Sequence, residues 1–273
     1  MNPMKQQLAV LTLGCVTVLA AMTVVRPSSE AFPKTPQNTG TPVVVELFTS
    51  EGCSTCPPAE ALLAQLEEGR LAGNVQLIAL EEHVDYWNDL GWVDPFSSHE
   101  WTSRQYVYSE ILGNRNPYTP QMVVDGSVEF VGNRMQQARD AILKAANKAK
   151  TPVTLTQASS TSPGKVNFSA KVGKLEGESS RDAAEVWLAI TETGLHSAVT
   201  RGENAGENLH HAAVVRVMHK LGVAKGDGEI SFGGDTNVSL QKEWKQENLK
   251  AVVFVQEKKS RRILGATEVP IAQ

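Results

Sequence analysis

The longest unbroken apolar stretch is Leu8 to Val25 (LAVLTLGCVTVLAAMTVV), with Lys5 before it and Arg26, Pro27, Ser28, Ser29, Glu30 and Ala31 after it. A basic start, an apolar run and small residues at 29 and 31 are the marks of a secretory signal, so residues 1–31 are expected to be a signal peptide cleaved after Ala31. Left uncleaved, residues 8–25 would serve as a short membrane anchor. Residues 32–41 (FPKTPQNTGT) have no apolar period and read as a flexible lead-in.

From residue 42 the pattern becomes regular. Pro42 to Phe48 (PVVVELF) is a β-branched run suited to a strand buried on both faces. Pro57 to Leu66 puts Leu62, Leu63 and Leu66 on one helical face, with both prolines in the first turn where a missing N–H costs nothing. Val75 to Leu80 predicts a second strand. Ser97 to Leu112 predicts a serine-capped helix with Trp101, Tyr108, Ile111 and Leu112 inward. Asp125-Gly126, between QMVV and SVEFV, predicts a tight hairpin. Asn133 to Lys150 closes the series with an amphipathic helix carrying Met135, Ala138, Ile142, Leu143 and Ala146 on one face. The expected order over residues 42–150 is β-α-β-α-β-β-α.

Beyond Thr151 the period changes to two: Val153 and Leu155; Val166, Phe168, Ala170 and Val172; Val186, Leu188 and Ile190; Val252 to Val255; Ile263 to Ile271. Residues 151–273 are therefore expected to be a separate, mainly antiparallel β domain. Hairpin turns are predicted at Pro163-Gly164 and Lys258–Arg261, and a single helix from Glu207 to Leu221 with Leu209, Ala213, Val217 and Leu221 inward.

Composition narrows the function. Asp and Glu outnumber Lys and Arg by 30 to 26, a formal net charge of -4, so no global basic field exists to hold nucleic acid. Membrane contact is expected only through an uncleaved N-terminus. Of three cysteines, Cys15 lies inside the apolar run and leaves with it, so Cys53 and Cys56 are the thiols of the exported chain. An isolated CxxC in an oxidising compartment is a structural loop, a redox dithiol or half of a metal site.

Its placement favours the dithiol. The pair falls between a buried strand and the first turn of a helix, where unpaired N–H groups favour a thiolate and bring a cysteine pKa down from about 8.5. Cys53 is the expected attacking thiol and Cys56 the resolving one. Structural zinc wants four closed ligands, and no second CxxC or H-x3-5-H follows. His210, His211 and His219, with Glu203, Glu207 and Met218, are the remaining candidate ligands, but helix caps and solvated histidines account for the same residues. His83 follows the second strand and shares a face with Asp85, as a loop-fixing pair or an aid to proton transfer.

A strand, a CxxC at a helix start, the β-α-β-β-α continuation and Thr119-Pro120 before the third strand together resemble the thioredoxin fold. The resemblance implies that Pro120 is cis, and that Thr119 and Pro120 shape a substrate groove facing the CxxC. An ungapped match puts Leu47 where that family carries a buried carboxylate. Glu46 is one place off and turned to the opposite face by strand alternation, so its use in proton transfer to Cys56 needs a departure from that register. Gly52 stands where those proteins carry tryptophan. The segments ELFTSEGCSTCPPA (46–59), HVDYW (83–87), GWVDPF (91–96), YTPQMVV (118–124) and GENAGENLHHAAVVR (202–216) are similar to an exported bacterial family, the domain of unknown function 1223 family.

The expected activity is thiol–disulfide exchange by Cys53 and Cys56 on protein or small-molecule thiols outside the cytoplasm, periplasmic or secreted, without a dissociable cofactor or metal and with an upstream redox partner to reset the pair. Two other readings fit the same residues: a non-catalytic envelope-binding scaffold, and a copper-binding or copper-delivery protein using the dithiol.

Overall fold

The computed structural model describes residues 40–272 except 70–73, 115, 159–163, 178–181, 226–227 and 234–236. The expected signal peptide, nearly all of the lead-in, Cys15 and Pro163 lie outside the described residues. Among those described, no helix is long and apolar enough to cross a membrane.

The first part of the chain follows the predicted order: β1 (Thr41–Thr49), α1 (Pro57–Glu67), β2 (Val75–His83), α2 (His99–Ile111), β3 (Gln121–Val124), β4 (Val128–Val131) and α3 (Met135–Ala146). Pro57 and Pro58 open α1 with Glu60 in its first turn, where an acid opposes the positive end of the helix. Ser98 caps α2 by accepting the Glu100 N–H at 3.2 Å. Asp125 and Gly126 turn the β3–β4 hairpin with φ of 47° and 59°, the left-handed pair such a turn requires. The Thr119–Pro120 bond is cis.

The remaining strands are β5 (Val153–Ala158), β6 (Lys165–Val172), β7 (Ala184–Glu192), β8 (Leu195–Ala198), β9 (Asn208–His211), β10 (Val214–Ala224), β11 (Ile230–Phe232), β12 (Asn237–Ser239), β13 (Leu249–Glu257) and β14 (Ile263–Pro270). The helix expected over Glu207–Leu221 is instead β9 and β10. A spacing of four residues is a multiple of two, so Leu209, Ala213, Val217 and Leu221 satisfy a strand as well as a helix. The β-branched Val214, Val215, Val217 and Val223 favour the strand.

The boundary expected at 150/151 does not separate two bodies. Four strands from beyond it extend the first sheet into one of eight, in the order β14-β13-β7-β10-β2-β1-β3-β4. β1 and β2 are parallel from Thr41/Val75 to Thr49/His83, and β10 joins β2 at Val214/Glu81. One apolar cluster draws Val44, Ile78, Leu80 and Trp101 together with Ala189, Val215, Met218, Val252 and Phe254 across the expected boundary. A second sheet of β5, β6, β11 and β12 packs Leu155, Phe168 and Val172 against Val186, Leu188, Ile190, Val253 and Val255. The described residues all belong to one compact unit.

The two faces of β1 and β2 are used differently. Val43, Val45, Leu47, Leu77 and Ala79 meet α1 and α3, in a cluster with Leu62, Leu63, Ala138 and Ile142. The alternate residues face α2, which offers Trp101, Arg104, Gln105 and Tyr108 to the interior. Strand alternation therefore sends Thr49, Glu81 and His83 to the α1 side, and Glu46 and Glu82 to the α2 side.

Candidate functional site: a buried disulfide beside a carboxylate–imidazole cluster

Cys53 and Cys56 lie between β1 and α1 and are joined by a disulfide. The turn is tight: Cys53 N–H donates to Ser50 O at 3.1 Å and Cys56 N–H to Cys53 O at 3.1 Å, and α1 then takes Cys56 O as its first acceptor. Pro120 sits against the same end of α1. A Cβ on Gly132 would lie 3.1 Å from Ala59 Cβ and 3.3 Å from Pro120 Cβ, so the proline and the first turn of α1 share one wall. Thr119 Oγ1 accepts the Trp87 indole N–H at 2.9 Å, which orients the segment entering that wall.

Neither cysteine is exposed at all (0 % each). One contributor to their enclosure is the tip of the β8–β9 hairpin, residues 199–207. Asn204 Nδ2 donates to Glu51 O at 2.8 Å and to Cys53 O at 3.1 Å, and Glu203 Oε2 accepts from the Ser54 N–H at 3.2 Å and the Ser54 hydroxyl at 2.7 Å. The glycines at 202 and 206 take left-handed φ of 79° and 94°, which lets the tip fold back on itself.

The base of the same hairpin carries His211 into a buried cluster. His211 Nδ1 lies 2.8 Å from Glu81 Oε1 and 3.7 Å from Glu60 Oε2, and its Nε2 lies 3.1 Å from Glu51 Oε1. His83 Nε2 lies 3.0 Å from Glu81 Oε1 and its Nδ1 2.7 Å from Asp94 Oδ2. Phe96 packs edge-on against both imidazoles, whose ring centres are 4.8 Å apart. Further donors complete the carboxylates: Thr49 hydroxyl to Glu60 (2.6 Å), Ala212 N–H to Glu81 (3.1 Å), Glu51 N–H to Asp94 (2.8 Å) and Trp92 indole N–H to Glu51 (2.7 Å). Glu51 and Glu60 flank the CxxC on either side, so the cluster is continuous with the disulfide turn.

Burial and mutual charge set the protonation of these groups. Burial, with the Glu81 charge adding to it, pushes the Glu60 carboxyl up to about 7. Burial would also raise Glu81, but hydrogen bonds from His211 and His83 outweigh it and hold that carboxyl down at about 2. For His83 burial opposes the charge, and the Asp94 and Glu81 carboxylates overcome it and lift the imidazole well above its usual range. The same balance, with Glu51 and Glu81 as partners, brings His211 up to about 9. Asp94 is held low because His83 outweighs its burial.

Glu46 takes no part in this site. It faces α2, where Arg104 Nη2 lies 2.5 Å from Glu46 Oε1, Arg104 Nε donates to the same oxygen at 2.6 Å and the Tyr108 hydroxyl to Oε2 at 2.5 Å. The sheet separates it from Cys56, which rules out direct proton transfer between them. Burial beside Glu46 keeps Glu82 protonated well above the ordinary carboxylate range, partly offset by Arg104.

The family model described as protein of unknown function (DUF1223) matches residues 44–256. The chain is a DUF1223 protein. Two solved structures resemble it over most of its length. A structural-genomics crystal structure from Agrobacterium tumefaciens is 26% identical with a TM-score of 0.63, covering 86% of this chain and 96% of its own. HBP35 of Porphyromonas gingivalis is 16% identical with a TM-score of 0.61, covering 85% and 76%, a likeness of fold alone. No curated protein matches the chain.

Of the residues singled out in the DUF1223 sequence, Cys53, Cys56, Thr119 and Pro120 gather at one end of α1, and His83 lies in the adjoining cluster with Asp94, not Asp85, as its partner. Asp85 instead accepts from the Thr102 hydroxyl at 2.6 Å and lies 3.2 Å from His99 Nδ1. His211 is buried in the cluster, whereas His210 and His219 are exposed and stand apart from it. Glu51, Glu60, Glu81 and Asp94 escaped notice because a lone acid in a sequence reads as a solvated charge. Continuing β2 by its period of two through His83 would have put Glu81 beside it.

Proposed function

We propose that this DUF1223 protein is an exported, thioredoxin-like thiol–disulfide oxidoreductase in which the 199–207 loop controls access to the Cys53–Cys56 pair. The observation that carries the reading is the disulfide closed within one turn of the α1 N-terminus, against the wall that Pro120 shares with Ala59. In the oxidised form a substrate thiolate attacks Cys53 Sγ, the bond to Cys56 breaks, and Cys56 leaves as the thiolate that the helix terminus stabilises. A second substrate thiolate then attacks the substrate sulfur of the mixed disulfide and releases Cys53. The substrate gains a disulfide, and the protein keeps two electrons as a dithiol, which an upstream redox partner must remove. Run in reverse, the same steps reduce a substrate disulfide.

Complete burial of both sulfurs favours a second reading, a static disulfide in a non-catalytic binding module. Equilibration with glutathione, read by mass spectrometry of alkylated protein, separates the two. Exchange proteins lie between about -270 and -120 mV, and a value in that span with turnover of a model dithiol supports the oxidoreductase. A value below about -300 mV without turnover refutes it in favour of the static pair.

A further inference from the structure

The carboxylate–imidazole cluster has an organisation that disulfide exchange does not call for. Three side-chain atoms from two elements converge, His83 Nε2 and Glu81 Oε1 from β2 and His211 Nδ1 from β9, and Glu60 Oε2 from α1 lies 3.7 Å from the last. Those of Glu81, His83 and His211 all lie within 4.8 Å of one another. The contacts of 2.8, 3.0 and 3.7 Å among the four fall on either side of about 3.3 Å, the edge of the tetrahedron formed by ligand bonds of 2.0–2.1 Å.

The second tier points the same way. Each imidazole turns one nitrogen to the convergence point and the other to a separate carboxylate, Asp94 for His83 and Glu51 for His211. Asp94 is in turn fixed by the Glu51 N–H, and Glu51 by the Trp92 indole. Glu60 and Glu81 spend their outer oxygens on the Thr49 hydroxyl and the Ala212 N–H, leaving the inner ones for the centre. An outer carboxylate on each histidine, with every inner carboxylate oriented by a donor behind it, is the way proteins hold metal ligands in tautomer and direction. Among the described residues no Lys or Arg pairs with any of the four acids. A dication between two carboxylates and two neutral imidazoles leaves the inner set uncharged.

We propose that Glu60, Glu81, His83 and His211 bind one divalent transition-metal ion of the zinc type, with Asp94 and Glu51 as positioning residues. Two imidazole nitrogens select a borderline ion over the hard Mg2+ and Ca2+, which take oxygen. All four ligands are buried and come from the protein, so the site is closed and structural, a cross-link from β9 to β2 and α1 that leaves the cysteine sulfurs out of the coordination.

The test uses the whole oxidised chain, stripped with chelator and titrated with Zn2+ against a chromophoric chelator, followed by X-ray absorption at the zinc edge. One equivalent should bind, with nitrogen and oxygen neighbours near 2.0 Å and no sulfur near 2.3 Å. Excess Mg2+ or Ca2+ should leave the equivalent in place. Glu81→Gln and His211→Gln should abolish binding, and Asp94→Asn, isosteric and one step removed, should weaken it about 10- to 100-fold with the fold intact by circular dichroism. Failure of the stripped wild-type chain to bind Zn2+, undiminished binding by a folded Glu81→Gln chain, or sulfur in the coordination shell would each overturn the assignment.

Discussion

Replacing Asn204 by alanine tests whether the hairpin tip gates the disulfide. The side chain bonds two backbone carbonyls, and the two losses are unequal. Cys53 O keeps the Cys56 N–H as a donor, whereas among the described residues Asn204 alone donates to Glu51 O, so the substitution strands that oxygen. An unpaired buried carbonyl costs about 1–3 kcal/mol. With one such group and one partly compensated, the closed loop loses at least about 1–2 kcal/mol, which raises its open population at least about five- to thirtyfold. If reduction requires local opening and reclosing is fast, its rate follows that population. The oxidised protein is treated with excess phosphine reductant, free thiols are trapped with iodoacetamide, and the reduced fraction is followed by mass spectrometry. Asn204→Ala should be reduced at least about five to thirty times faster than wild type. Glu203→Ala should show a smaller increase, because its contacts to Ser54 are solvent-exposed. Sub-denaturing urea should barely change either rate, since local opening exposes little surface. Equal rates for wild type and a folded Asn204→Ala would refute the gate. So would a wild-type rate that climbs with urea as steeply as global unfolding.

Other consequences are independent of the gate. His211 has a folded-state pKa raised to about 9, so its contribution is fully present below about 6.5 and lost as pH rises from there to 9; in chelator-stripped protein urea midpoints should fall over that window, by up to about 3 kcal/mol from this group. The opposite limb belongs to Glu81, held down at about 2: its stabilisation is present above about 4.5 and is lost as pH falls from 4.5 to 2. Arg104→Ala removes the cation paired directly with buried Glu46, leaving only the weaker charge of Arg261, and should cost about 3–5 kcal/mol by urea denaturation, whereas Glu82→Gln, at a carboxyl that burial pushes well above the ordinary range, should cost less. Gly126→Ala should lower the melting temperature by more than an ordinary surface change, because a Cβ there would lie 1.9 Å from Arg261 O at a φ of 59°.

How far the sequence could be read followed from the kind of pattern each segment carried. β1, α1 and the β3–β4 hairpin were legible because a β-branched run, prolines at a helix start and Asp-Gly each allow few conformations. The β9–β10 segment was not, because its apolar spacing of four serves two periods. Arg104 and Gln105 interrupt the inward face of α2 with polar groups whose partners, Glu46 and Tyr118 O, come from other elements. The cysteines and Thr119-Pro120 were visible because their chemistry is compact in sequence. The cluster was not, because its ion pairs link residues as far apart as Glu51 and His211, 160 positions. No local pattern shows that an acid will lose its water.

The interleaving of β10 with β2 also sets an order in time. A chain emerging from the ribosome completes β1, α1 and β2 long before β9 and β10 exist, and β2 then has one edge without its neighbour. His211 follows Glu81 by 130 residues, a delay of about 7–26 s at 5–20 residues per second. Cys53 and Cys56, only 3 positions apart, meet within the first strand–helix unit. Until β9 is in place the pair lacks the cover that Asn204 and Glu203 give it in the finished molecule.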